Sequence, residues 1–128
     1  MRIRYWQSGI VLCIVAGLMS GCTGGRAVES YAIPTGGYAR HGKQIMVQRQ
    51  CGSCHTIPGI SGANGVFGPP LVSFAQRTFI AGTFPNATNY LVPWIMSPKS
   101  MKPKTAMPDL GLSEQQARDV AAYLYTLH

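Results

Sequence analysis

Cys51-Gly52-Ser53-Cys54-His55 sets two thiols and an imidazole into one short stretch of backbone. The spacing is that of covalent haem attachment. Each thiol adds to one porphyrin vinyl group to form a thioether, and the histidine that follows is then held beneath the iron as its proximal ligand. Other uses of paired thiols fit less well. A thioredoxin-like redox pair belongs with a βαβ pattern that is absent here, and a zinc site needs further thiols or paired histidines.

The remaining cysteines, Cys13 and Cys22, lie upstream of any domain-like pattern. Arg2 and Arg4 open a basic stretch, the apolar run Ile10 to Met19 follows, and Ser20-Gly21-Cys22 closes it. This is the layout of a secretory signal, with an apolar run too short to span a bilayer comfortably. Leu18-Met19-Ser20-Gly21-Cys22 resembles the lipobox of bacterial lipoproteins, although Met19 stands where leucine is usual. The resemblance implies a signal peptide over residues 1–21 and a lipid on Cys22 that anchors the mature chain to a membrane. Residues 22–37, rich in glycine, proline and polar side chains, read as a flexible tether with a reach of about 20 Å. Residues 38–128 then form one small domain, whose core a buried porphyrin would enlarge. All four cysteines are thereby assigned without a disulfide.

The chain carries a formal charge of +7. Loss of Arg2 and Arg4 with the leader lowers it by two, and only Glu29, Asp109, Glu114 and Asp119 oppose what remains. Acidic protein surfaces are the matching partners. Nucleic acid is not, because the charges are scattered, no recognition motif is present, and the protein is exported.

Periodicity places a first helix from about Tyr38 to Cys51, with Gly42, Ile45, Met46 and Arg49 on or near one face. A glycine there leaves room for another helix to approach closely. A last helix follows the capping pair Ser113 and Gln116, with Ala117, Val120, Ala121 and Leu124 as its apolar face and an end near Leu127. It is expected to cross the first, with Tyr123 or Val120 over Gly42. Shorter helices are expected over Leu71–Thr78 and Asn89–Met96, and no segment alternates as a strand would. The fold class is therefore all-α.

A six-coordinate haem iron needs a second axial ligand, and a thioether raises its potential. Met107 fits best, being followed by Pro108 in a loop stiffened by Pro103 just before the last helix. Met101 is an alternative, and Met46 is expected to face the helix partner. His41 and His128 offer bis-histidine ligation, but one sits near a helix start and the other at the chain end.

From Gly42 onward the chain resembles a class I cytochrome c. Gly42-x-x-x-Met46 before the attachment motif, Cys54-His55, Gly68-Pro69-Pro70-Leu71, the Met107 loop and the closing Ala122-Tyr123-Leu124 occur in that family's order. Trp94-Ile95-x-x-Pro98-x-x-x-Lys102-Pro103-x-x-x-Met107-Pro108-x-Leu110-Gly111-Leu112-Ser113 is especially similar to the cytochrome c domains joined to subunit II of haem-copper oxidases. The resemblance implies crossed terminal helices, with short helices and loops wrapped around one haem c. It implies that the Pro69 carbonyl accepts a hydrogen bond from Nδ1 of His55, a contact that would orient the ring. It also implies that Leu71 packs on the proximal side of the haem, and Trp94 beside Met107. Arg77 and Thr105 become propionate partners, with a solvated surface arginine as the plain alternative. Met46 departs from the aromatic residue usual at its place.

With both axial positions filled, the expected role is a membrane-tethered single-electron carrier rather than an enzyme. Lys43, Lys99, Lys102 and Lys104 are expected to ring the haem edge and meet a redox partner with an acidic docking surface, such as a haem-copper oxidase. A fixed subunit of an oxidase or a quinoprotein dehydrogenase is the alternative, followed by a haem enzyme or gas sensor.

Overall fold

The computed structural model describes residues 34–128. The leader, Cys22 and most of the tether lie outside them. Four helices, α1 (Ala39–Gln48), α2 (Thr88–Met96), α3 (Pro98–Met101) and α4 (Glu114–Leu124), carry the fold, and the all-α expectation holds.

Tyr38 caps α1 without lending its side chain. Its backbone N–H instead donates to Oδ1 of Asp119 at 2.8 Å, so the start of α1 is fastened to α4. Gly42, Ile45 and Met46 are the buried positions of α1. The helix stops at Gln48, and Gln50 takes the left-handed conformation with φ 54°, which throws the chain sideways into Cys51.

Ser113 and Gln116 close a reciprocal cap at the start of α4: the Gln116 backbone N–H donates to the Ser113 hydroxyl at 3.3 Å, and the Ser113 backbone N–H to the side-chain Oε1 of Gln116 at 3.0 Å. Two otherwise orphaned donors are satisfied, and Glu114 adds a negative charge where the helix dipole favours one. Ala117, Val120, Ala121 and Leu124 are buried as their spacing requires.

Gly42 is the point of closest approach. A Cβ there would collide with the backbone carbonyl of Asp119, so the two helices touch main chain to main chain. Of the two residues expected over Gly42, Val120 is there, its backbone nitrogen beside the glycine, and Tyr123 is not. The Tyr123 hydroxyl donates to the Pro58 carbonyl at 2.7 Å and pins the loop after the thiols, while burial pushes its pKa up. Packing also extends back into the end of the tether, where Thr35 is buried and Arg118 donates to its carbonyl at 2.9 Å.

Two expectations change between the terminal helices. Leu71–Thr78 forms no helix beyond a single 3₁₀ turn, Phe74–Gln76, because Ser73 enters it at φ 50° and Arg77 leaves it extended. A short antiparallel ribbon pairs β1 (Phe79–Ile80) with β2 (Phe84–Pro85) around Ala81 and Gly82, both at positive φ. Two residues per strand are too few for alternation to appear in sequence. The helix expected over Asn89–Met96 begins one residue earlier, at Thr88. Among the described residues, no helix is long and apolar enough to cross a membrane.

Candidate functional site

A cavity of about 530 Å³ lies between the crossed helices and the loops that join them. The thiol segment enters it through the 3₁₀ turn Cys51–Ser53. The N–H groups of Cys54 and His55 both donate to the Cys51 carbonyl, at 3.3 and 3.0 Å, and so fold both thiols and the imidazole onto one wall. Burial pushes the Cys51 thiol up, partly offset by a backbone hydrogen bond and reinforced by neighbouring Cys54, so the group is held as the neutral thiol.

His55 is oriented from behind. Its Nδ1 lies 2.7 Å from the Pro69 carbonyl oxygen, which can only accept, so the proton sits on Nδ1 and the Nε2 lone pair is left for coordination. Gly68 makes this possible, since a Cβ at that position would run into the ring of His55. The Leu71 N–H donates to the Thr56 carbonyl at 2.8 Å and fixes the buried Leu71 side chain on the same wall.

Trp94 and Met107 also line the cavity, both half-buried. Trp94 comes from α2 together with buried Leu91 and Ile95, and its ring packs 6.1 Å from that of Phe84 on the ribbon. The Met107 N–H donates to the Thr105 hydroxyl at 3.3 Å, a local turn that holds the thioether-bearing loop. Thr105 keeps its own hydroxyl proton to give away. Arg77 lies on the wall as well, with its guanidinium bonded to the carbonyls of Pro70 and Val72 and stacked 5.4 Å from the centre of the Phe74 ring.

All nine residues read from the sequence as cofactor-binding (Cys51, Cys54, His55, Pro69, Leu71, Arg77, Trp94, Thr105 and Met107) therefore border one cavity. Met46, expected to face α4, borders it too. Met101 lies on a separate groove between α2 and α4, and His41 is exposed, its Nδ1 4.0 Å from Asp119. Of the four lysines expected at the edge, only Lys102 lines the cavity, and its ammonium donates to the Ala81 carbonyl at 2.9 Å. Sequence reasoning missed Phe74, Ile80 and Leu112. Leu91 and Ile95 were recoverable, because with Trp94 they recur at helical spacing.

The residues present fit a covalently held haem. The cavity falls within the range of about 300–1,000 Å³ usual for cofactor sites, and its wall is mostly apolar. Two thiols and an imidazole with a free Nε2 stand in it, together with a methionine thioether. Thiol, imidazole and thioether form a donor set suited to haem iron and its vinyl groups.

Comparison with known proteins agrees. The family model described as Cytochrome c matches residues 39–128. The chain is 34% identical over 95 residues to Cytochrome c oxidase subunit 2 of Alkalihalophilus pseudofirmus (strain ATCC BAA-2126 / JCM 17055 / OF4), a match covering 73% of this chain and 27% of that protein. It thus spans little more than a quarter of the length of this curated relative.

Proposed function

Because the chain belongs to the cytochrome c family, we propose that it is a membrane-tethered, single-haem electron carrier serving a terminal oxidase. Haem binding and electron transfer come with the family. Bound haem c supplies a ferric–ferrous couple that takes up and releases one electron at a time.

The observation that carries the finer reading is the placement of His55 and Met107 on one cavity beside Cys51 and Cys54. The two cysteines hold the group covalently, and a single attachment motif implies a single haem. His55, with its Nδ1 proton committed to Pro69, offers Nε2 from one side. Met107 offers its thioether, steadied by the Thr105 turn. With two protein ligands in place, no position is left for a substrate, which favours a carrier over an enzyme. Leu71, Trp94 and their apolar neighbours exclude water, and Arg77 and Thr105 stand ready for carboxylates of the group.

Replacing Met107 tests the assignment. Met107→Ala is expected to lose the weak long-wavelength absorbance of a ferric sulfur–iron bond and to lower the midpoint potential; an unchanged spectrum would assign the ligand elsewhere.

The tether is inferred from Cys22 and the residues around it. A second reading, a fixed subunit within an oxidase, is favoured by one observation: the similar relative is itself named as an oxidase subunit. Migration in mild detergent separates the two. A subunit travels with the oxidase, whereas a mobile carrier travels alone.

A further inference from the structure

Met107 stands on a stretch, residues 102–112, that is neither helix nor strand. Its own hydrogen bonds are short-range. The Thr105 N–H donates to the Lys102 carbonyl at 2.9 Å, the Met107 N–H to the Thr105 hydroxyl at 3.3 Å, and the Lys102 N–H to the Pro98 carbonyl of α3 at 2.9 Å. These bonds give the loop its shape but do not fasten it to the rest of the cavity wall. Among the described residues, a single hydrogen bond joins residues 102–112 to any part of the chain beyond α3: the one from the Lys102 ammonium to the Ala81 carbonyl at 2.9 Å.

The ribbon turn presents that carbonyl. The Thr83 N–H closes the turn on the Ile80 carbonyl at 3.0 Å, with Ala81 at φ 51° and Gly82 at φ 71°. The ladder thus uses Ile80 and leaves the Ala81 carbonyl for Lys102. A Cβ disfavours the left-handed region, so an alanine stays there only where its surroundings hold it, and such positions gather at ligand clamps. Ala81 and Lys102 both line the cavity, although 21 positions separate them in sequence. The bond therefore runs from the ribbon to the root of the Met107 loop. Lys104, exposed on the same loop, makes no hydrogen bond among the described residues.

We infer that Lys102 is a positioning residue for the Met107 thioether: by bonding the ribbon turn at Ala81, it holds the ligand loop against the cavity. This rests on the reading above of Met107 as an axial ligand. An ammonium donating to a carbonyl makes a charge-assisted bond, stronger than a neutral one though weakened by exposure to water. Its loss should favour the state in which the loop has swung away and the thioether has left its place.

Imidazole added to the ferric, haem-loaded protein probes the loop. It coordinates only when the thioether has left, so its apparent affinity scales with the fraction of molecules in that state. Lys102→Met should raise this affinity about fivefold, the effect of one charge-assisted bond discounted for exposure. Amide exchange at Thr105 and Met107 should quicken with it. Lys102→Arg can still donate and should stay within about twofold of the native protein. Lys104→Met removes the same charge from the same loop and should change nothing. Ser113→Ala weakens α4 rather than the loop and should also leave the affinity where it was. A Lys102→Met variant with native affinity overturns the inference, as does a Lys102→Arg variant that behaves like Lys102→Met. An equal rise in Lys104→Met would make net charge the cause, an equal rise in Ser113→Ala would make it general stability, and either overturns the inference. The underlying reading fails separately: a native ferric protein without the long-wavelength sulfur–iron absorbance rejects Met107 as ligand. If that absorbance is present and Lys102→Met leaves the affinity unmoved, only the role of Lys102 is lost.

Discussion

The crossing of α1 and α4 and the cavity wall facing it are built by opposite means. The crossing is made of apolar side chains at helical spacing and one main-chain contact at Gly42. The wall is held by hydrogen bonds across its loops, some between backbone groups and others from single polar side chains reaching backbone carbonyls: Thr56 to Gly65 at 3.0 Å, Asn86 to Phe74 and Arg77 at 2.9 and 3.0 Å, and Lys102 to Ala81 at 2.9 Å. Packing of the first kind is redundant along a helix face, since each residue shares its burial with several neighbours. Bonding of the second kind is not shared. Each polar group closes one loop, and its removal leaves a carbonyl unsatisfied.

Substitutions can break this contrast or sharpen it. The largest effect is expected for Gly42→Val. The new side chain meets main chain rather than a movable side-chain tip, so about 3 kcal/mol or more of stability should be lost, read as a lower midpoint in urea. A fully tolerated valine would mean that the helices are free to part, and the crossing would no longer be the rigid half.

Asn86→Ala comes next. Its amide bonds to both ends of the 3₁₀ turn, at Phe74 and at Arg77, so about 2 kcal/mol should go. The Arg77 stretch should loosen with it, seen as faster amide exchange around Arg77 while α1 and α4 keep their protection. Uniform loosening of both regions would dissolve the distinction drawn here.

Ser113→Ala should cost least, about 1 kcal/mol, because it removes one cap from a helix whose buried face is untouched. The visible spectrum should not move. A spectral change would show that strain at the start of α4 reaches the Met107 loop through Leu112.

The same contrast explains what could be read in advance. α1 and α4 were legible because burial repeats along them, and the capping pair Ser113 and Gln116 announced the start of α4. The thiols and His55 were legible because attachment chemistry demands their spacing, and Met107 because prolines frame it. The wall was not. Ser73 at φ 50° ends a segment whose composition allows a helix, and the turn at Ala81 and Gly82 gives no periodic signal. Lys102 reads as a surface charge until the fold brings Ala81, 21 positions away in sequence, within reach of its ammonium.

Thr35, Gly36 and Tyr38 are all fastened to α4, by Arg118 to the Thr35 carbonyl at 2.9 Å, Gln115 to the Gly36 carbonyl at 3.0 Å, and the Tyr38 N–H to Asp119 at 2.8 Å. The three bonds work in parallel. A tug on the polypeptide ahead of Pro34 would therefore be divided among them and delivered into the outer turns of α4. The strain relief of an electrical cable works in this way: tension stops at the clamp, and the contacts at Cys51–His55 and Met107 stay slack.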